Sequence, residues 1–150
     1  MTYNIEYPIN KSTLLEDFKR TVSLVAAQAV DQNNVALYDS VMVYERNAKE
    51  VDRYLSDSIR SFVARFSDVT RLEMGIDGFP TEIDFYLPDF NMVNFDNVGN
   101  MIADFIIDKA VSLWFTRRIP DMAKFYAESA VGTLAEIAII LRTRKAPERS

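Results

Sequence analysis

The sequence predicts a helix-dominated α+β fold, with about four helices in a bundle and a β-hairpin inserted at about residues 71–87. Three observations predict it. Apolar residues recur at helical spacing along four long segments. A short central stretch switches to strict apolar/polar alternation around Asp77-Gly78. Finally, 49% of the 150 residues are hydrophobic, and a chain this long buries roughly 70% of its extended surface in one domain. That domain divides into an N-terminal arm (1–11), two helices (12–66), the hairpin (71–87), two further helices (97–145) and a tail (146–150).

The arm contains Pro8, and Ser12 or Thr13 opens the first helix, Thr13 and Glu16 having capping-box spacing. Leu14, Leu15, Phe18, Val22, Val25, Ala26 and Ala29 form its apolar stripe, and Asp31-Gln32-Asn33-Asn34 ends it with turn chemistry. The second helix is the most regular: Leu37, Val41, Tyr44, Ala48, Val51, Leu55, Ile59, Phe62 and Phe66 step by three or four, which predicts one amphipathic helix of about seven turns. In the hairpin, Leu72, Met74 and Ile76 alternate with Glu73, Gly75 and Asp77. Ile83, Phe85 and Leu87 alternate with Glu82, Asp84 and Tyr86. The Asp77-Gly78-Phe79-Pro80 stretch between them supplies the turn. An Asn- and Asp-rich loop from Pro88 to Asn97 precedes the third helix, capped by Asp96 or Asn97, and Pro120 stands at the first turn of the fourth.

Composition removes whole classes of chemistry. There is no cysteine, hence no disulfide, thiolate nucleophile or thiolate metal site, and no histidine, hence no imidazole base, triad or His ligand. A net charge of −5 argues against non-specific nucleic-acid binding by bulk charge. The N-terminus has no signal-peptide pattern and no apolar run approaches the about 20 residues of a membrane span, so the expectation is a cytoplasmic product that touches no membrane. Carboxylates are the remaining catalytic side chains. Glu45, Glu50 and Asp52 lie close together in the second helix, and Asp104 and Asp108 one turn apart in the third. They could hold Mg²⁺, but Arg46, Lys49 and Arg53 interleave with the first group as on a solvated helix face. No glycine-rich phosphate loop occurs. The expectation is a protein that is not an enzyme and has no cofactor or metal.

Charge is distributed unevenly. Residues 73–108 hold eight acids (Glu73, Asp77, Glu82, Asp84, Asp89, Asp96, Asp104, Asp108) and no base, whereas residues 139–150 hold four bases (Arg142, Arg144, Lys145, Arg149) and one acid, Glu148. Such a split serves solubility and the helix dipole. It equally suits head-to-tail contact between copies, the basic end of one meeting an acidic edge of the next. Glu73, Asp77, Glu82, Asp84 and Asp89 are the candidate acidic residues for a channel lining or subunit contact, and Arg142, Arg144, Lys145 and Arg149 the candidate basic ones. Phe79, Phe90 and Phe95, in the turn and the following loop, are candidate partner contacts, with folding back onto the core as the alternative.

From Asp108 the sequence resembles a known arrangement. Asp108-Lys109-Ala110-Val111-Ser112-Leu113-Trp114-Phe115-Thr116, then Asp121-Met122-Ala123-Lys124-Phe125-Tyr126-Ala127-Glu128-Ser129-Ala130, then Leu141-Arg142-Thr143-Arg144-Lys145-Ala146-Pro147-Glu148-Arg149 is similar to small structural proteins of tailed phages and prophages of gut Bacteroidales. The order of helices, hairpin and two more helices is similar to head–tail connector (adaptor, neck-ring) proteins, including those of crAss-like phages. The resemblance implies a virion protein assembled in the host cytoplasm as a homo-oligomeric ring of about twelve copies beneath the portal. Its implied partners are the portal and other neck or tail proteins, with DNA passing through the channel without sequence-specific binding. It implies no catalytic residues. The alternative is a helical intracellular scaffolding or regulatory partner without catalytic activity.

Overall fold

A computed structural model describes residues 2–28, 41–90 and 95–142. Its elements run β1 (Thr2–Pro8), α1 (Lys11–Ala26), a short 3₁₀ turn (Glu45–Asn47), α2 (Ala48–Arg65), β2 (Thr70–Met74), β3 (Pro80–Pro88), α3 (Phe95–Phe115) and α4 (Pro120–Arg142). The fold is helix-dominated α+β, with, among the described residues, the four helices α1–α4 and a small antiparallel sheet in the order β1-β3-β2.

The sheet corrects the expected arm. Tyr3, Ile5 and Tyr7 alternate with outward-facing Asn4 and Glu6, and β1 pairs antiparallel with β3 in the register Tyr3↔Leu87, Ile5↔Phe85, Tyr7↔Ile83. Pro8 is tolerated because it ends an edge strand, where a missing N–H breaks no interior ladder. The hairpin forms as expected, with its turn shifted to residues 75–79. Gly75 N–H donates to the Phe79 carbonyl at 2.9 Å, the Asp77 carboxylate accepts from Phe79 N–H at 3.1 Å, and Gly78 sits at φ +82°, a conformation that favours glycine. Pro80 therefore opens β3, and Ile76 is fully exposed in the turn instead of continuing the β2 alternation.

Helix α1 begins earlier than the capping-box spacing suggests. Asn10 is its N-cap, accepting from Thr13 N–H at 3.1 Å through its side chain. The expected end of that helix at residues 31–34, and Leu37 at the head of the second, lie outside the described residues. The second helix is shorter than its periodicity predicts. Residues 42–44 are not helical, and α2 starts at Ala48 after the 3₁₀ turn. Two hydrogen bonds account for the break. The buried Trp114 indole N–H donates to the Val41 carbonyl at 2.8 Å, and the Asn47 side chain accepts the Tyr44 N–H at 3.0 Å. Both groups are thereby drawn out of a continuing helical ladder. From Val51 onward the expected stripe is the observed one: Val51, Leu55, Ile59 and Phe62 are completely buried.

Helix α3 is the hub, packing against α4, α2 and α1. Its Phe105 meets Phe62, which also touches Phe85 of the sheet (ring centroids 6.0 and 6.1 Å apart). At its N-terminus the Tyr7 hydroxyl donates to the Gly99 carbonyl at 3.1 Å, and a Cβ at 99 would stand 3.4 Å from the Tyr7 ring, in van der Waals contact. At its C-terminus Trp114 meets Phe18 edge-on at 5.8 Å, and Arg118 stacks over the indole at 3.5 Å. Arg118 also grips Glu50 through two hydrogen bonds of 3.0 and 3.3 Å.

Trp114→Phe keeps an aromatic ring but removes the indole N–H, leaving the buried Val41 carbonyl without its donor and a small void beside Phe18. We expect a loss of about 2–4 kcal/mol, measured by urea denaturation, with the far-UV circular dichroism of the folded state nearly unchanged.

Candidate functional site

The outer face of the sheet gathers the acids. Inward positions on β3 are Ile83, Phe85 and Leu87, so strand alternation sends Glu82, Asp84 and Tyr86 the other way. Register does the rest. Asp84 lies opposite Glu6 on β1 and Arg71 on β2, while Glu82 lies opposite Glu73. β3 is the central strand, so its side chains are flanked on both sides, and Asp84 is only 9% exposed although it points away from the core. Carboxylate oxygens of Glu6, Glu82 and Asp84 lie within 4.8 Å of one another.

The electrostatics follow from that crowding. The hydrogen bond to Asp84, partial burial, and the charges of Asp84, Glu6 and Glu73 push the Glu82 carboxyl up to about 7. The sign of the resulting pH dependence is opposite to that of an ordinary paired carboxylate. Between the unfolded value of 4.5 and about 7 the folded state holds a proton on Glu82 that the unfolded state has released, so this group's contribution to stability declines as pH rises through that window.

The sequence candidates fall into distinct groups. Glu82 and Asp84 share the cluster and Glu73 flanks it. Asp77 serves the hairpin turn. Asp89 is exposed at φ +48°, just after β3. The three aromatics are corrected: Phe79 and Phe90 are buried and Phe95 is partly buried against the core. Phe90 and Phe95 meet edge-on at 6.4 Å, Phe95 meets Phe85 at 5.4 Å, and Phe79 lies beneath the Lys11 ammonium at 4.7 Å. Burying aromatic surface outweighed the polar character of the surrounding loop. Arg142 is exposed at the end of α4, while Arg144, Lys145 and Arg149 lie outside the described residues.

The carboxylates first considered as an Mg²⁺ set do not converge. Asp52 pairs with Lys11 at 3.0 Å, and Glu45 is exposed in the 3₁₀ turn. Burial raises Glu50, but hydrogen bonds from Arg118 and Tyr54, with the charges of Arg118 and Arg53, outweigh it and hold the carboxyl below its usual range. Asp104 and Asp108 line a polar cleft of about 450 Å³ between α1, α3 and α4. There burial raises Asp108, opposed by the hydrogen bond from the Ser129 hydroxyl at 2.8 Å and assisted by the Asp104 charge.

Sequence reasoning missed Glu6, because it assigned residues 1–11 to an arm. The signal was the alternation Tyr3, Ile5, Tyr7, which marks a strand with Glu6 on its polar side.

A second surface feature is the outer face of α4. Phe125, Val131 and Ile139 are exposed there by 59%, 68% and 71%, with Gly132 and Ala135 between them. Among the described residues, no helix is long and apolar enough to cross a membrane.

Glu82→Gln should gain in stability relative to the parent chain as pH rises from 4.5 to about 7, and should differ little below that window. Thermal unfolding in chelator-treated buffers across the range checks it; a constant difference would mean that Glu82 does not hold its proton in the folded state.

The chain matches no protein-family model, and no curated protein or solved structure matches it significantly.

Proposed function

We propose that this chain is a virion structural protein, a ring subunit of the head–tail connector or neck of a tailed phage, placed beneath the portal and forming part of the DNA channel. The observation that carries this reading is the outer face of α4, taken with the sequence resemblance over residues 108–149. Phe125, Glu128, Gly132, Ala135 and Ile139 repeat every three or four along one stripe, apolar or small except for the exposed Glu128, the spacing with which one helix packs against another. Phe125 and Ile139 stand at its ends, and Gly132 and Ala135 leave its middle low. A Cβ added at Gly132 would meet nothing within 4 Å. Nothing among the described residues therefore requires glycine there, although mid-helix glycine costs about 1 kcal/mol against alanine. A neighbouring helix approaching closely would use that space.

The occupant in this reading is a second copy of the chain. The contact is heterologous, the α4 face and basic tail of one subunit against a different surface of the next, and such contacts close into rings when the rotation permits. The outer sheet face, rich in Glu6, Glu73, Glu82 and Asp84, supplies the complementary charge or faces the channel, where negative side chains keep phosphate from adhering. The ring then works by shape and charge alone.

Native mass spectrometry and analytical ultracentrifugation of the purified protein test the contact. We expect a concentration-dependent closed oligomer for the parent chain. A Phe125→Lys, Ile139→Glu double variant should be monomeric, with stability changed by no more than about 0.5 kcal/mol per substitution because both sites are exposed. Assembly unaffected by the substitutions would remove the α4 face from the interface. A stable dimer would favour the regulatory-partner alternative.

A further inference from the structure

The outer face of the sheet carries a like-charge arrangement that its folding does not require. β3 pairs with β1 and β2 through backbone hydrogen bonds, whatever side chains stand at 6, 82 and 84, and like charges facing each other across strands weaken that pairing. Asp84 is the sharpest case. It is only 9% exposed, on the central strand, and among the described residues its Oδ1 meets no N–H or cationic donor, its close polar neighbours being the Glu6 and Glu82 carboxyls. Leaving a buried carboxylate oxygen unsatisfied is costly, and the neighbouring bases do not relieve it. Arg71, opposite Asp84 in register, places its guanidinium over the Tyr86 ring, 5.6 Å from the centroid. The ion pairs Lys11–Asp52, Arg20–Asp17 and Arg118–Glu50 engage other carboxylates.

We propose that Glu6, Glu82 and Asp84 bind a divalent cation on the outer face of the sheet, and that the cation is Ca²⁺. The donors are exclusively carboxylate oxygens, which select hard cations over the softer transition metals. Carboxylate oxygens already within 4.8 Å of one another need only small side-chain adjustments to share one ion through Ca²⁺ bonds of about 2.3–2.6 Å. Mg²⁺ demands a stricter octahedron and gives up its water reluctantly, so a flexible set of three carboxylates on an open sheet face suits Ca²⁺ better. Three monodentate carboxylates would leave about three to five of the positions of Ca²⁺ to water. The buried Asp84 oxygen is the anchor, Glu82 the second ligand two residues away on the same face, and Glu6 the ligand that reaches across from β1.

The placement has a structural consequence. β1 is an edge strand joined to the sheet on one side only, and the ion would tie it to the central strand at the Glu6–Asp84 register. Ca²⁺ would then stabilise the docking of the N-terminus. This inference concerns a different surface from the α4 face and does not depend on the ring reading.

Calorimetric titration of the chelator-treated protein with Ca²⁺, beside thermal unfolding with and without the ion, tests the site. We expect one saturable site, a rise in Tm with Ca²⁺ and weaker binding of Mg²⁺. Asp84→Asn should abolish binding, and Glu6→Gln should weaken it roughly tenfold or more. Because Asp84 is buried, the exposed Glu6→Gln variant keeps the test decisive if Asp84→Asn does not fold. Absence of saturable Ca²⁺ binding at millimolar concentration would overturn the proposal, as would equal binding by the parent chain and Glu6→Gln.

Discussion

The hydrogen bond from the buried Trp114 indole to the Val41 carbonyl is the constraint on which the helical arrangement depends. A fully buried indole needs an acceptor, and the acceptor it finds, at 2.8 Å, is a carbonyl that a continuous helix would have used internally. The chain therefore leaves the helix after Val41 and re-enters it at Ala48, reset by the Asn47 side chain on the Tyr44 N–H. Arg118 reinforces the same point by stacking on the indole and holding Glu50 of the first turn of α2. Phe18 closes it from α1. One side chain thus sets the relation of α1, α2 and α3, and with it the position of Phe62, which passes the packing on to Phe85 in the sheet.

The sheet shows the opposite economy. Its inner face is tied to the core through Ile5, Ile83, Phe85 and Leu87, while its outer face concentrates charge of one sign around a buried carboxylate oxygen that meets no N–H or cationic donor. Among the described residues the other buried polar side-chain atoms find partners, such as Thr70 on the Phe66 carbonyl at 2.7 Å, and the proposed Ca²⁺ would supply the one that Asp84 Oδ1 lacks.

How much of this was legible in the sequence depended on whether the cause was local. The stripe from Val51 to Phe66, the Asp77-Gly78 turn and Pro120 at a helix start are local signals, and each element stands where its residues place it. The break at 42–44 was invisible because Val41 and Tyr44 keep the helical period; what breaks the helix is a tryptophan 73 positions away. The N-terminal strand was hidden by Pro8 and by a partner at residues 82–88. Phe79, Phe90 and Phe95 looked like surface aromatics because their loop is polar, but the space that admits them is built by β3, α1 and the core. Of the acidic cluster, Glu82 and Asp84 could be found by alternation, whereas Glu6 joins them only through strand pairing.

Two surface features stand out: a largely apolar stripe on α4, broken by Glu128, which we propose meets another copy of the chain, and an acidic sheet face, which we propose lines a channel and holds a cation. In our proposal both belong to a protein that acts by assembly, a connector ring. The copy number in purified virions, measured by quantitative mass spectrometry against the major capsid protein, tests that most directly. The account predicts about a dozen copies per particle, the stoichiometry of one ring. Hundreds of copies, or none, would contradict it.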